Sequence, residues 1–203
     1  MLYTSLAVAT LSAVASAKTI RVDVGQGGLN FSPNNIQANV GDILAFWYHP
    51  INHSVVAADF ASPCKPKAEG GFYSGFFPTS SGTNENVFEV VVNDTKPIWF
   101  YCSQTVGNHC KAGMVGAVNA NANKTLAQFK AAAAQVSENE SPSSGAFGGK
   151  ILAASDATKT SGSGSTQTSK PPASTTTHNA AATLGSVGGM AMAVVGAAVA
   201  FAI

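Results

Sequence analysis

The thirteen residues from Cys102 to Met114, Cys-Ser-Gln-Thr-Val-Gly-Asn-His-Cys-Lys-Ala-Gly-Met, constrain this chain more than any other stretch. They place a thiol, an imidazole and a thioether in one short loop, with a strand-like run before it (Pro97 to Cys102) and another after it (Val115 to Val118). Soft thiolate and thioether sulfur suit copper, imidazole suits copper in either oxidation state, and a trigonal His2Cys set with a distant axial Met is a copper geometry made for one-electron transfer. Such a set needs a second histidine from elsewhere. His53, in Asn52-His53-Ser54-Val55-Val56, lies between two apolar strand-like runs, so a loop end can carry it to the 102–114 loop. His49 is the rival, but it directly precedes Pro50 at the end of a strand. The expected ligands are therefore His53, Cys102, His109 and Met114.

The rest of the chain reads as short strands. Thr19 to Val24 alternates, with Ile20, Val22 and Val24 on one parity, which is the pattern of a half-buried strand. Gly25-Gln-Gly-Gly ends it as a turn, because it neither opens a helix nor carries the Lys-Ser/Thr of a phosphate loop. Ile36 to Val40 and Ile43 to Tyr48 read as two strands joined tightly across Gly41-Asp42. Val87 to Asn93 and Pro97 to Cys102 follow, with a turn at 93–96. In the second of these Ile98, Phe100 and Cys102 share a parity, so the thiol points with the apolar side chains into a core. Residues 60–81 form a long structured loop whose aromatics Phe72, Tyr73, Phe76 and Phe77 either cap that core or form a docking patch. Seven or so mostly antiparallel strands imply an all-β Greek-key sandwich. A helix is expected from Asn123 to about Gln135 on the propensity of its alanines.

Composition divides the chain. An apolar run from Leu6 to Val14 ending in Ala15-Ser16-Ala17 predicts a signal peptide over 1–17, cleaved before Lys18. The globular domain is assigned to 18–121 and a helical extension to 122–136. Residues 137–179, rich in Ser, Thr, Gly and Pro and poor in aromatics, read as a disordered, O-glycosylated stalk. The uncharged segment 180–203, with small residues at 179–181 and an apolar end, predicts a GPI-anchor signal with attachment at Asn179. A transmembrane span is the rival, disfavoured by a short, glycine-interrupted run without basic flanks. Asn93, Asn123 and Asn139 are expected glycosylation sites; Asn52 is disfavoured beside His53. A formal charge of +1 with 10% charged residues gives nucleic acid no footprint.

Taken together, His53-Ser-Val, Tyr101-Cys102, His109-Cys-x-x-Gly-Met114, Phe31-Ser-Pro and Val40-Gly-Asp resemble the cupredoxins, closest to plant phytocyanins and fungal GPI-anchored cupredoxins, over roughly residues 18–120. The resemblance implies a cupredoxin-like sandwich with one mononuclear type-1 copper, and a monomeric electron carrier rather than an enzyme. It also implies a Cys64–Cys110 disulfide, which leaves Cys102 as the free thiol among three cysteines. One departure is the six residues between Cys102 and His109, a longer spacer than in plant members. His109 is the ligand expected to face solvent, with Lys65, Lys67 and Lys111 gathered beside it by the disulfide. The redox partner or copper donor is not identified, and membrane attachment is through the GPI anchor.

Other chemistries fit less of the sequence. Copper binding for sequestration or delivery, without electron turnover, uses the same ligands. A histidine-brace oxygenase needs His at the mature N-terminus, where Lys18 is predicted, and multicopper oxidases need His-x-His pairs, which are absent. A Cys102–His109 nucleophile–base pair leaves His53, Met114 and Cys110 unexplained. Zinc held by Cys64, Cys102, His109 and Cys110 lacks paired Cys-x2–4-Cys spacing.

Overall fold

A computed structural model describes residues 17–161. The expected signal peptide apart from Ala17, the part of the expected stalk beyond 161, the expected GPI-anchor signal and Asn179 lie outside the described residues. In chain order the elements are β1 (Thr19–Val24), β2 (Phe31–Ser32), β3 (Asn35–Ile36), β4 (Ile43–Tyr48), β5 (Ile51–His53), β6 (Val56–Ala58), β7 (Phe77–Thr79), β8 (Asn86–Val91), β9 (Ile98–Tyr101), β10 (Val115–Val118), α1 (Leu126–Ala133), β11 (Lys150–Ala153) and α2 (Ala154–Ser161). No described helix is long and apolar enough to cross a membrane.

Two sheets form the sandwich, in the orders β11-β8-β4-β1-β2 and β3-β10-β9-β6, and β5 pairs with β7 in a small third ribbon. The core between the sheets takes one parity from each strand: Val22 and Val24 from β1, Leu44, Phe46 and Tyr48 from β4, Phe88 and Val90 from β8, and Phe100 from β9, with Cys102 and Met114 at one end. The parity expected for Cys102 is the one observed.

Both outer faces are also covered, which explains runs too apolar to be half-exposed strands. On the first sheet Ala45, Trp47 and Val87 pack with Ala157 of α2. On the second, Trp99, Tyr101, Val115 and Ala117 pack with Phe129 and Ala133 of α1. That helix starts at a reciprocal cap in which Thr125 Oγ1 accepts from Gln128 N while Gln128 Oε1 accepts from Thr125 N.

Two expectations are corrected. Ile36 and Ile43 do not belong to tightly joined strands: β3 runs parallel to β10 in one sheet and β4 parallel to β1 in the other. The link between them crosses the sandwich, and buried Asp42 holds it by accepting the backbone N–H groups of Lys18 (3.0 Å) and Asn39 (2.8 Å).

Residues 137–161, expected as the start of the stalk, instead fold onto the domain. Phe147 exchanges backbone hydrogen bonds with Tyr73, and β11 pairs with the edge strand β8. Gly148 and Gly149 permit this approach: a Cβ on Gly149 would overlap Glu89 O and the Phe88 ring. Averaging composition over 137–179 hid the few apolar residues, Phe147, Leu152, Ala154 and Ala157, that dock this strap.

Candidate metal centre

Three elements deliver the site. His53 closes β5, Cys102 follows β9, and His109 and Met114 come from the loop that connects β9 to β10. Backbone bonds fold that loop onto its own ligands: His109 N donates to Gln104 O (3.1 Å), Met114 N to His109 O (2.9 Å) and Cys102 N to Met114 O (3.1 Å). All four side chains are buried, at 2% exposure or less.

His53 Nδ1 lies 3.9 Å and His109 Nδ1 3.4 Å from Cys102 Sγ, and the three ligand atoms are within 4.8 Å of one another. His53 Nε2 is 3.2 Å from Pro50 O, which accepts its proton and leaves Nδ1 with a free lone pair facing the sulfur. His49, the rival ligand, turns away: its Nε2 bonds Asp23 Oδ1 at 2.8 Å.

Burial holds both imidazoles neutral, His53 below its usual range and His109 down to about 4, with the facing His53 adding to the effect on His109. Burial pushes the Cys102 thiol up, so in the absence of a cation it keeps its proton. The chemistry of this donor set fits copper: two neutral imidazoles and a thiol that gives up its proton on metal binding, in a dry pocket with a thioether in the same core cluster.

Other expectations are resolved by position. Cys64 and Cys110 form the expected disulfide, with Cα atoms 5.7 Å apart, and this ties the 60–81 loop to the residue after His109. His109, at 2% the least buried of the four ligands, is still covered rather than open to solvent. The longer spacer folds over it, so that a Cβ on Gly107 would lie 3.6 Å from His109 Cδ2, and Val106 rather than His109 is exposed.

Two of the three lysines have partners or surroundings of their own. Lys65 Nζ binds Glu140 Oε1 at 2.9 Å, while Lys67 lines a cavity of about 460 Å³ together with Asp59, Asp94 and Lys96. Of the four loop aromatics, Phe72, Tyr73 and Phe77 are core and only Phe76 is exposed.

Among the glycan acceptors, Asn93 and Asn123 are exposed, as is Asn30, whose Asn30-Phe31-Ser32 sequence is a further acceptor the motif reading passed over. Asn139 differs from these: it is 7% exposed and its Nδ2, the atom a glycan would occupy, donates to Gln104 O at 2.9 Å.

Sequence reasoning also missed the groups behind the ligands. Ser54 N lies 3.4 Å from Cys102 Sγ, Ser54 Oγ lies 2.9 Å from Ser103 Oγ, and the ring of His53 rests on Gly25. Only the turn character of Gly25 was legible; which side chain it would face was not.

A two-sheet sandwich whose buried His-Cys-His cluster sits beside a methionine defines a mononuclear blue-copper protein. Comparison places the chain more closely. It is 37% identical over 187 residues to a protein named "Probable GPI-anchored cupredoxin-1" of Arthroderma benhamiae, an alignment covering 91% of this chain and 94% of that one. This chain belongs to the cupredoxin family. An "Extracellular serine-rich protein" of the same organism is 37% identical over 138 residues, and there the chain spans about half the relative's length, 53%. No protein-family model matches. Solved structures similar to the chain include a purple cupredoxin from Nitrosopumilus maritimus (20% identity, TM-score 0.37, 48% of this chain and 95% of that one) and a plastocyanin from Dryopteris crassirhizoma (19%, TM-score 0.34, 49% and 97%).

Proposed function

We propose that this chain is an extracellular, GPI-anchored type-1 copper protein that carries single electrons, with His53, Cys102 and His109 as the equatorial ligands and Met114 as the axial one. The observation that carries the reading is the convergence of two free imidazole Nδ1 atoms on the buried Cys102 sulfur. Bound copper would supply the Cu(II)/Cu(I) couple.

The chain's own contribution is rigidity and dryness. The loop's backbone bonds, the Cys64–Cys110 disulfide and the Pro50 carbonyl hold the donor atoms in one arrangement for both oxidation states, so little reorganisation accompanies the electron. Tyr101, next to the thiol ligand, is fully buried with its hydroxyl donated to Glu140 O at 2.6 Å, so an electron path along the chain through Tyr101 would end under the strap.

Copper(II) added to the protein should give the intense visible thiolate-to-copper band, and Cys102→Ser should abolish it. A coloured Cys102→Ser protein would overturn the ligand set. Rapid loss of copper to a chelator, without reversible redox at fixed occupancy, would favour copper sequestration or delivery over electron transfer.

Surface attachment is supported by the name of the 37% identical relative and by the uncharged 180–203 segment. A GPI-specific phospholipase should release the protein from cells, and attachment mapped to a residue other than Asn179 would revise only that position. Retention in the membrane after effective treatment would point to a spanning segment.

A further inference from the structure

We propose that Ser141 is a positioning residue for the copper thiolate: carried to the site by the strap over residues 137–149, its hydroxyl directs a three-serine hydrogen-bond chain that ends on Cys102 Sγ. The inference rests on the copper reading of the site and concerns how the protein sets the electronic character of that sulfur.

The chain is continuous. Ser141 Oγ has two acceptors in reach, Ser103 Oγ at 2.7 Å and the Ser103 carbonyl at 3.2 Å, and its one hydrogen is assigned to the shorter contact; Ser103 Oγ and Ser54 Oγ are 2.9 Å apart, and Ser54 Oγ lies 3.9 Å from Cys102 Sγ. Each hydroxyl has one hydrogen to give. Ser54 Oγ already accepts the backbone N–H of Ser103 at 3.0 Å. When Ser141 donates to Ser103, the Ser103 hydroxyl is left to donate onward to Ser54, and the Ser54 hydrogen is left for the sulfur. Reversing the chain withdraws that hydrogen, and the sulfur keeps only its backbone donors, the Ser54 N–H at 3.4 Å and the Gln104 N–H.

Ser54 and Ser103 are fully buried, so water does not take over the middle of the chain. Ser141 is exposed on its outer side, and its inward hydroxyl is the end from which the direction is set. The strap is fixed there by partners that flank the thiol ligand and the disulfide. Asn139 Nδ2 donates to Gln104 O (2.9 Å), Glu140 N to Cys64 O (2.9 Å) and Tyr101 OH to Glu140 O (2.6 Å).

A side-chain donor added to the backbone ones draws further electron density from the sulfur and so favours Cu(I), since hydrogen bonding around the Cys sulfur is one of the determinants of a blue-copper potential. Polarisation along linked hydroxyls strengthens the last bond.

The test compares Ser141→Val with Ser141→Thr in the full chain, two side chains of similar shape of which only Thr keeps the hydroxyl and only Val excludes a replacing water. In the apoprotein the infrared S–H stretch of Cys102, the single thiol outside the disulfide, is read; in the copper-loaded protein the thiolate-to-copper band and the reduction potential are read. Ser141→Val should shift the S–H stretch and the visible band and lower the potential, while Ser141→Thr keeps all three. Should Val distort the strap, Ser141→Ala should move the same readouts in the same direction. On a Ser54→Ala background Ser141→Val should add nothing. Unchanged readouts in Ser141→Val, or a shift of equal size on the Ser54→Ala background, would overturn the relay. If the parent protein gives no coloured band, the copper reading fails and the S–H comparison alone decides the relay.

Discussion

Gly25 lies against the imidazole of His53, with no room for a side chain between them. A Cβ built on Gly25 would overlap Nε2 and Cδ2 of the ring, and the residue has φ +83°, in the left-handed region that glycine occupies at no steric cost. The turn after β1 therefore forms the back wall of a ligand whose front faces Cys102. Gly25→Ala should push the ring off the Pro50 carbonyl and cost about 1 kcal/mol in backbone strain alone. The check is copper affinity together with the visible band: weaker binding and a reshaped band are expected, and an unchanged band would mean that His53 tolerates displacement.

The disulfide closes a separation of 46 residues, worth about 4 kcal/mol by loop-closure entropy. Replacing Cys64 and Cys110 with serine should lower the denaturation midpoint accordingly and loosen the residue next to His109. Thiol labelling of the denatured, unreduced apoprotein should find Cys102 alone.

Buried neutral histidines make the apoprotein acid-sensitive. The folded pKa of His109, about 4, lies below the ordinary value of 6.5, and burial is the main cause. The unfolded chain therefore binds more protons between those values. The stability this group contributes is complete above pH 6.5 and is lost as pH falls towards 4, by at most about 3 kcal/mol. His53, shifted in the same direction by burial, adds to the slope. Denaturant melts of the apoprotein from pH 7 to pH 4 should show the decline, and His109→Gln should flatten it.

Glycan mapping of the secreted protein should find Asn93 and Asn123 modified and Asn139 bare. Asn139→Gln should then leave the glycan count unchanged but lower stability, because it removes the hydrogen bond to Gln104 O next to the copper loop. Occupancy at Asn139 would show that the strap opens before the chain is modified.

A chain cut after residue 136 should be less stable than one ending at 161. It loses the cover that Ala157 and Leu152 give to Trp47 and Val87, the pairing of β11 with β8, and the Ser141 contact with Ser103. Thermal melts of the two lengths decide the matter, and equal midpoints would show that the strap contributes nothing.

What the sequence determined is local or chemical. The ligand types of His53, Cys102, His109 and Met114 follow from residue identity, and the inward direction of Cys102 follows from the two-residue period it shares with Ile98 and Phe100. The presence of α1 followed from its alanine-rich stretch, whereas its start, expected at Asn123, is set at Leu126 by the Thr125–Gln128 cap. The tertiary structure decided whatever depends on what lies across space. The crossing of the chain between sheets at Asp42 was invisible because a short polar link reads alike whether it joins neighbours or opposite layers. The cover over His109 depends on how the 103–108 spacer folds back, and the pairing of Lys65 on Glu140, a residue of the presumed stalk. The strap itself was hidden because four apolar residues spread over 147–157 carry no period that a sequence window detects. They become a binding face only when β8 offers an open edge and Trp47 an uncovered surface, and both of those exist only after the sandwich has formed.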